Sequence, residues 1–188
     1  RGFARPNLHL TVREVTGPRD AQIATARALD DALGSPKKPA GAGIIYAATR
    51  KGTERLAEDL REALAATPDA AVVFMVSPTY YGMVADVAGC AAVAHEHGAA
   101  LVVDQSWGPH FGFHPDLPPG ALSLGADATV TSVHKMAGSL TQSAMLHVGP
   151  GGRIDPAKVD RMLRLLRTTS PSSLLMGSLD ATRRYTAR

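Results

Sequence analysis

Two side chains of this sequence have the types and the separation to hold one small ligand between them. Asp104 closes the apolar run Ala100-Leu101-Val102-Val103. Lys135 follows about thirty residues later, in Thr131-Ser132-Val133-His134-Lys135-Met136-Ala137-Gly138-Ser139. A carboxylate at the end of a buried strand is costly unless it is paired. Asp104 therefore reads either as a turn or capping residue, or as the partner of a protonated ring nitrogen in a heterocyclic cofactor. Lys135 reads either as a solvated cation or as a desolvated amine suited to Schiff-base formation. Ser132 and His134 beside it offer donors to a phosphate or a carboxylate, although a histidine taken alone is more often an ordinary polar residue.

For one ligand to meet both residues, the strands that carry them must end at the same edge of a sheet. Short apolar runs alternate with helical patterns along the chain. Gly43–Ala47, Val72–Val76, Ala100–Val103, Asp127–Thr131 and Ala144–Val148 read as five strands. Between and after them, Thr53 reads as the cap of a helix carrying Leu56, Leu60 and Leu64 on one face. Asp86–His97 reads as an Ala-rich helix stopped by Gly98. Asp155-Pro156 opens a helix whose Val159, Met162, Leu163 and Leu166 form one apolar face. Such alternation predicts an α/β fold with a mostly parallel sheet and helices on both faces. In those sheets ligands gather beyond the carboxyl ends of the strands, where Ser77, Asp104 and Ser132 fall.

Bulk properties narrow the class. The 188 residues suffice for one sizeable core, and 45% hydrophobic with 20% charged residues is ordinary for a globular chain. A net charge of +3 does not call for nucleic acid but leaves room for a local anion such as a phosphate. The single cysteine, Cys90, forms no internal disulfide or metal-binding pattern, which points to a reducing, cytoplasmic setting and no metal. No run of eighteen apolar residues indicates a membrane span. The chain opens on Arg1 with no signal peptide, and the expectation is of a fragment.

Three blocks carry a resemblance. They are Ser77-Pro78-Thr79-Tyr80-Tyr81-Gly82, then Val103-Asp104-Gln105-Ser106-Trp107-Gly108-Pro109-His110 with Phe113-His114-Pro115-Asp116-Leu117-Pro118, and then Ser132 to Val148. Together they make residues 67–188 resemble part of the major domain of the Orn/Lys/Arg decarboxylases, which have the aspartate-aminotransferase type of fold. The resemblance implies pyridoxal phosphate as cofactor and a homo-oligomer. It also implies decarboxylation of a small-molecule substrate (ornithine, lysine or arginine) to an amine of the polyamine type. By the same resemblance Lys135 holds the cofactor in a Schiff base and Asp104 pairs with its ring nitrogen. Ser132 and His134 contact its phosphate or the substrate, with His134 also catalytic. Thr79 lies near the ring, and Ser106 is the small residue against it. The family commonly has Asp-Glu-Ala-x-Gly-Ala-His where this chain has Asp-Gln-Ser-Trp-Gly-Pro-His, so Gln105 and Pro109 bear on substrate choice. Thr168–Ser172 reads as a helix-ending loop or as a subunit contact.

Residues 1–66 read differently. Gly2–Leu8, Gly43–Lys51 and Glu54–Glu58 resemble a β-α segment of RecQ-type helicases, with the join falling between Leu60 and Asp69. No Gly-x-x-x-x-Gly-Lys-Ser/Thr loop is present, so ATP binding is not expected. Arg50, Lys51 and Arg55 read as a solvated helix start, and nucleic acid is not an expected partner. The decarboxylase phosphate loop and ring-stacking histidine are not found, and His9 is not assigned that role. A chain incomplete for turnover is the resulting expectation.

Overall fold

The computed structural model describes residues 34–35, 38–39 and 50–187. Two compact units divide at Gly43 and Ile44. In the first, β1 (Gly34–Ser35) pairs antiparallel with β2 (Lys38–Pro39). The strand expected at Gly43–Ala47 lies outside the described residues.

The second unit is the α/β domain. Its elements are α1 (Arg50–Ala66), β3 (Val72–Val76), α2 (Val87–Glu96), β4 (Ala100–Asp104), a 3-10 turn (Ala121–Leu124), β5 (Ala128–Thr131), α3 (Val133–Met136), β6 (Met145–Val148), α4 (Pro156–Leu166) and α5 (Ser173–Thr186). The sheet order is β3-β4-β5-β6; β3, β4 and β5 run parallel and β6 returns antiparallel. The mostly parallel α/β sheet expected from the sequence is thus present. β6 follows β5 through a connection, Ser132–Ala144, whose helix α3 has four residues.

Paired residues of parallel strands share a face. Val73, Met75, Leu101, Val103, Thr129 and Thr131 therefore line one side of the sheet. That side meets Cys90, Ala91 and Ala94 of α2 in the main core, with Leu56 and Leu60 of α1 packed against it. Leu64 of the same α1 stripe is buried too. Burying one such leucine contributes about 1.5–3 kcal/mol. On the other side Val72, Phe74 and Leu146 remain exposed.

Two helix expectations change. Thr53 lies inside α1, which starts at Arg50, so it is not the cap. α4 begins as expected, with the Asp155 carboxylate accepting from Ala157 N at 2.9 Å, but none of its residues is buried. Met162, Leu163 and Leu166 face solvent, Leu166 being 82% exposed. An amphipathic stripe records that a helix is built to be covered, not that its cover lies within the same chain. α2 follows the sequence closely: Asp86 Oδ1 accepts from Gly89 N at 2.9 Å, and Gly98 ends the helix at φ +75°. Thr168–Ser172 is the loop between α4 and α5, with Ser172 capping α5. Within α5 the Arg183 guanidinium, bonded to Asp180, holds that exposed carboxyl below its usual range.

A buried ionic network fixes the sheet at the edge where β4 and β5 begin. Asp127, 4% exposed, accepts from Leu101 N and from His95 Nε2, both at 2.8 Å. Arg153 Nη1 lies 3.8 Å from its other oxygen. A carboxylate only accepts, so His95 carries its proton on Nε2. With Asp127 N also donating to Leu101 O, this carboxylate locks the register that sets how far β4 and β5 project at their carboxyl ends. Among the described residues no helix is long and apolar enough to cross a membrane.

Candidate active site

The carboxyl ends of β3, β4 and β5 are adjacent, and the residues singled out in the sequence follow them. Ser77 and Thr79 come after β3, Asp104 and Ser106 after β4, and Ser132, His134 and Lys135 after β5. Backbone bonds tie these ends together: Ser77 N donates to Asp104 O at 3.0 Å, and Gln105 N to Val130 O at 2.8 Å.

Asp104 is half-buried, and its Oδ1 accepts from Ser106 N at 2.9 Å. Among the described residues it has no ion-pair partner, so Oδ2 remains a free acceptor. Ser106 is buried at 8% exposure. Thr79 is buried, with its hydroxyl accepting from Met83 N at 3.2 Å. Ser132 precedes α3 and makes no side-chain capping bond, and among the described residues its hydroxyl has no partner. His134 Nδ1 lies 2.8 Å from Ser143 O. A carbonyl only accepts, so Nδ1 carries a proton, and Nε2 is the ring nitrogen left without a partner among the described residues. Ser143 is itself clasped, bonding to the Ser139 hydroxyl and donating to Leu140 O at 2.6 Å.

Lys135 is exposed. The desolvated amine that was one reading of the sequence is not what this chain presents, because the four-residue α3 seats Val133 in the protein and turns Lys135 outward. What meets the amine is an aromatic face: Lys135 Nζ lies 4.6 Å from the centroid of the Trp107 ring. Trp107 is also met edge-on by Tyr80 at 5.1 Å, and Tyr80 by Tyr81 at 5.4 Å. The segments following β3, β4 and β5 therefore meet at one indole ring.

The loop that carries Trp107 is braced from within. Gln105, 5% exposed, donates from Nε2 to Gly108 O and accepts from Ala121 N at its Oε1, both at 2.7 Å. It is committed at both ends, so the substrate-choosing role considered for it gives way to a structural one. Gly108 packs so closely that an added Cβ would lie 2.8 Å from Pro78 Cδ. Beneath the lysine turn a cavity of about 340 Å³ is lined by Val133, Ala137, Thr131, His147, Leu179 and Pro109, among others. Trp107 as a meeting point, Asp127 as a lock and Gln105 as a brace were not distinguishable in the sequence. A polar residue in an apolar context was the one available signal for Asp127 and Gln105.

The model of the Orn/Lys/Arg decarboxylase major domain matches residues 40–188. The chain belongs to this family. Over 130 residues it is 41% identical to a protein named arginine decarboxylase from Bacillus subtilis (strain 168), covering 69% of this chain and 26% of that protein. This decarboxylase-family chain thus spans about a quarter of the length of that relative. Among solved structures it resembles apo CalE6, a methionine gamma lyase from Micromonospora echinospora. The TM-score is 0.53 and the identity 27%, covering 69% of this chain and 34% of that one. It shares its fold with a structure of SPT with PLP, at a TM-score of 0.52 and 21% identity, covering 70% of this chain and 33% of that one.

Proposed function

We propose that this chain carries the cofactor-binding edge of a pyridoxal-phosphate-dependent decarboxylase acting on a basic amino acid: ornithine, lysine or arginine. The observation that carries the reading is the meeting of three strand ends around Trp107, with Asp104 bonded into the same loop and Lys135 on the ring. Family membership and the names of the relatives support it, and those names make arginine the first substrate to test.

The residues present fit the cofactor. Asp104 has one free carboxylate oxygen to accept from a pyridinium N–H. Among the described residues Ser132 has a hydroxyl and His134 an Nε2 without a partner, for the phosphate or the substrate. Thr79 and Ser106, both buried, would flank the ring. Lys135 would supply the amine that holds the cofactor in a Schiff base. When bound, pyridoxal phosphate supplies an electron sink for the pair left as the carbon–carboxylate bond breaks. Asp104 would keep that sink effective by holding a proton on the ring nitrogen. Lys135 and His134 would be the groups that return a proton to the substrate carbon.

The exposed apolar residues of α4 and of the open sheet face support burial against further protein, and we propose a homo-oligomer. The single free thiol, Cys90, supports a cytoplasmic setting. The test is release of labelled carbon dioxide from carboxyl-labelled arginine, lysine and ornithine with added pyridoxal phosphate, alongside light scattering for mass. Release from one of the three that is lost in Lys135→Ala upholds the reading. Release unaffected by that change overturns it.

A further inference from the structure

We propose that the cavity behind the lysine turn is a second small-molecule site, taking an uncharged, mostly apolar molecule whose one hydroxyl is held by Thr131 and Thr182. The cavity measures about 340 Å³, within the span of about 300–1,000 Å³ usual for small-molecule sites. It lies across the sheet from the Asp104 carboxylate. Asp104 pairs in register with Val130, whereas Val103 pairs with Thr129 and faces the other way. Thr129, Thr131, Met145 and His147 share that other face and form the cavity floor. Val133 and Ala137 line it from either end of α3. The roof is α5, where Leu179, Thr182, Arg183 and Thr186 recur at the spacing of one helix face. That roof is tied to the loop after Lys135, because Leu140 N donates to Ser178 Oγ at 3.2 Å.

The lining sets the chemistry of the occupant. Phe111, Phe113, Leu122, Met145 and Leu179 make an apolar wall with two aromatic rings. Several polar groups in that wall are already committed. Thr129 Oγ1 donates to Val103 O at 2.9 Å, and Thr186 Oγ1 to Thr182 O at 3.0 Å. Gln105 is bonded at both ends of its amide. Thr131 and Thr182 differ from these. They are only 7% and 8% exposed, and neither hydroxyl has a hydrogen-bond partner among the described residues. A buried hydroxyl costs free energy until it is bonded. One that opens on a cavity regains that energy from a molecule that both donates and accepts at one atom, as an alcohol or a phenol does. An ion finds no unpaired opposite charge in the side chains Arg183 and Asp180, which bond to each other at 2.9 Å. Among the described residues no carboxylate lines the cavity.

The experiment titrates the full chain with three probes of similar size: benzyl alcohol, toluene and benzoate. Methyl carbon–proton spectra follow Thr131, Thr182 and Leu179, each located as the resonance lost in Thr131→Val, Thr182→Val or Leu179→Trp. Benzyl alcohol should shift all three saturably, and Leu179→Trp, whose larger side chain fills the cavity, should abolish its binding. Toluene lacks the hydroxyl and should bind about two- to tenfold more weakly. Thr131→Val combined with Thr182→Val should weaken benzyl alcohol by the same factor and leave toluene unchanged, so the test stands even if Leu179→Trp does not fold. Benzyl alcohol without effect on these methyls overturns the inference, as does a shift confined to Leu163 and Leu166 of the exposed α4. Equal affinity for benzyl alcohol and toluene overturns the role of the two hydroxyls. Benzoate binding more tightly than benzyl alcohol overturns the uncharged class and points to His147 or Arg183 as the holder of an anion. Shifts that follow chain concentration rather than probe make the cavity a contact between copies of the chain, and they overturn the inference too.

Discussion

Removing the Asp127 carboxylate should loosen the sheet that carries the site, by an amount the structure lets one work out. In Asp127→Ala the Leu101 N–H loses its side-chain acceptor at a residue that is fully buried. An unsatisfied buried donor costs about 1–3 kcal/mol. His95 loses a charged acceptor as well, but its side chain is 24% exposed, so water replaces part of that bond. A net loss of about 1 kcal/mol is the corresponding estimate. The total, about 2–4 kcal/mol, falls at the lower end of the range for breaking a buried ion pair because solvent reaches one partner. Asp127→Asn keeps one oxygen for Leu101 N and should cost about 1 kcal/mol. Urea unfolding followed by circular dichroism, with His95→Ala and the double variant completing a cycle, separates the two contributions. A lower midpoint at unchanged slope is expected. Asp127→Ala within about 0.5 kcal/mol of the parent, or Asp127→Asn as damaging as Asp127→Ala, would refute the network as the lock of β4 on β5.

Other changes test the loop and the core. Gly108→Ala places a Cβ 2.8 Å from Pro78 Cδ and 2.9 Å from Phe111 Cδ2. It should cost about 1–3 kcal/mol in thermal unfolding and weaken cofactor uptake, since the loop holding Asp104 must shift. Gln105→Leu strands Ala121 N in a buried place, while Gly108 O keeps its bond from Phe111 N, and a loss of about 1–3 kcal/mol in urea unfolding is expected. The Cys90 thiol is pushed up to about 11, first by burial and then by Asp86. A raised value favours the neutral thiol, so the native chain should resist alkylation at pH 8 and react only once unfolded. By the same sign, the stability tied to this thiol is whole below the ordinary thiol range and is lost as pH rises toward 11.

The main-chain plan was legible because periodicity reports burial. The strands Val72–Val76 and Ala100–Asp104 appear where their apolar runs stand, and the α1 stripe of Leu56, Leu60 and Leu64 faces the core. The same periodicity misleads at α4, where the stripe is real and no described residue covers it. Thr53 failed as a cap because capping is decided by backbone angles that a residue type only favours. At the site, Asp104 and Lys135 stood out through their chemistry and their place after strands. Trp107 did not, since an aromatic residue in a loop reads alike whether it packs, stacks or holds a cation. Asp127 and Gln105 were illegible for a related reason. Gln105 bonds to backbone groups, which leave no mark in a sequence, and Asp127 to one backbone N–H and to two side chains, His95 and Arg153, that lie far from it along the chain.

The central claim is that the amine of Lys135 takes up pyridoxal phosphate. Mixing the chain with the cofactor, reducing with borohydride and mapping the labelled peptide by mass spectrometry tests it most directly. The account predicts one labelled site, on the peptide carrying Lys135, and no label above background in Lys135→Ala. Label spread over Lys37, Lys38, Lys51 and Lys158, or equal labelling of the Lys135→Ala chain, would contradict it.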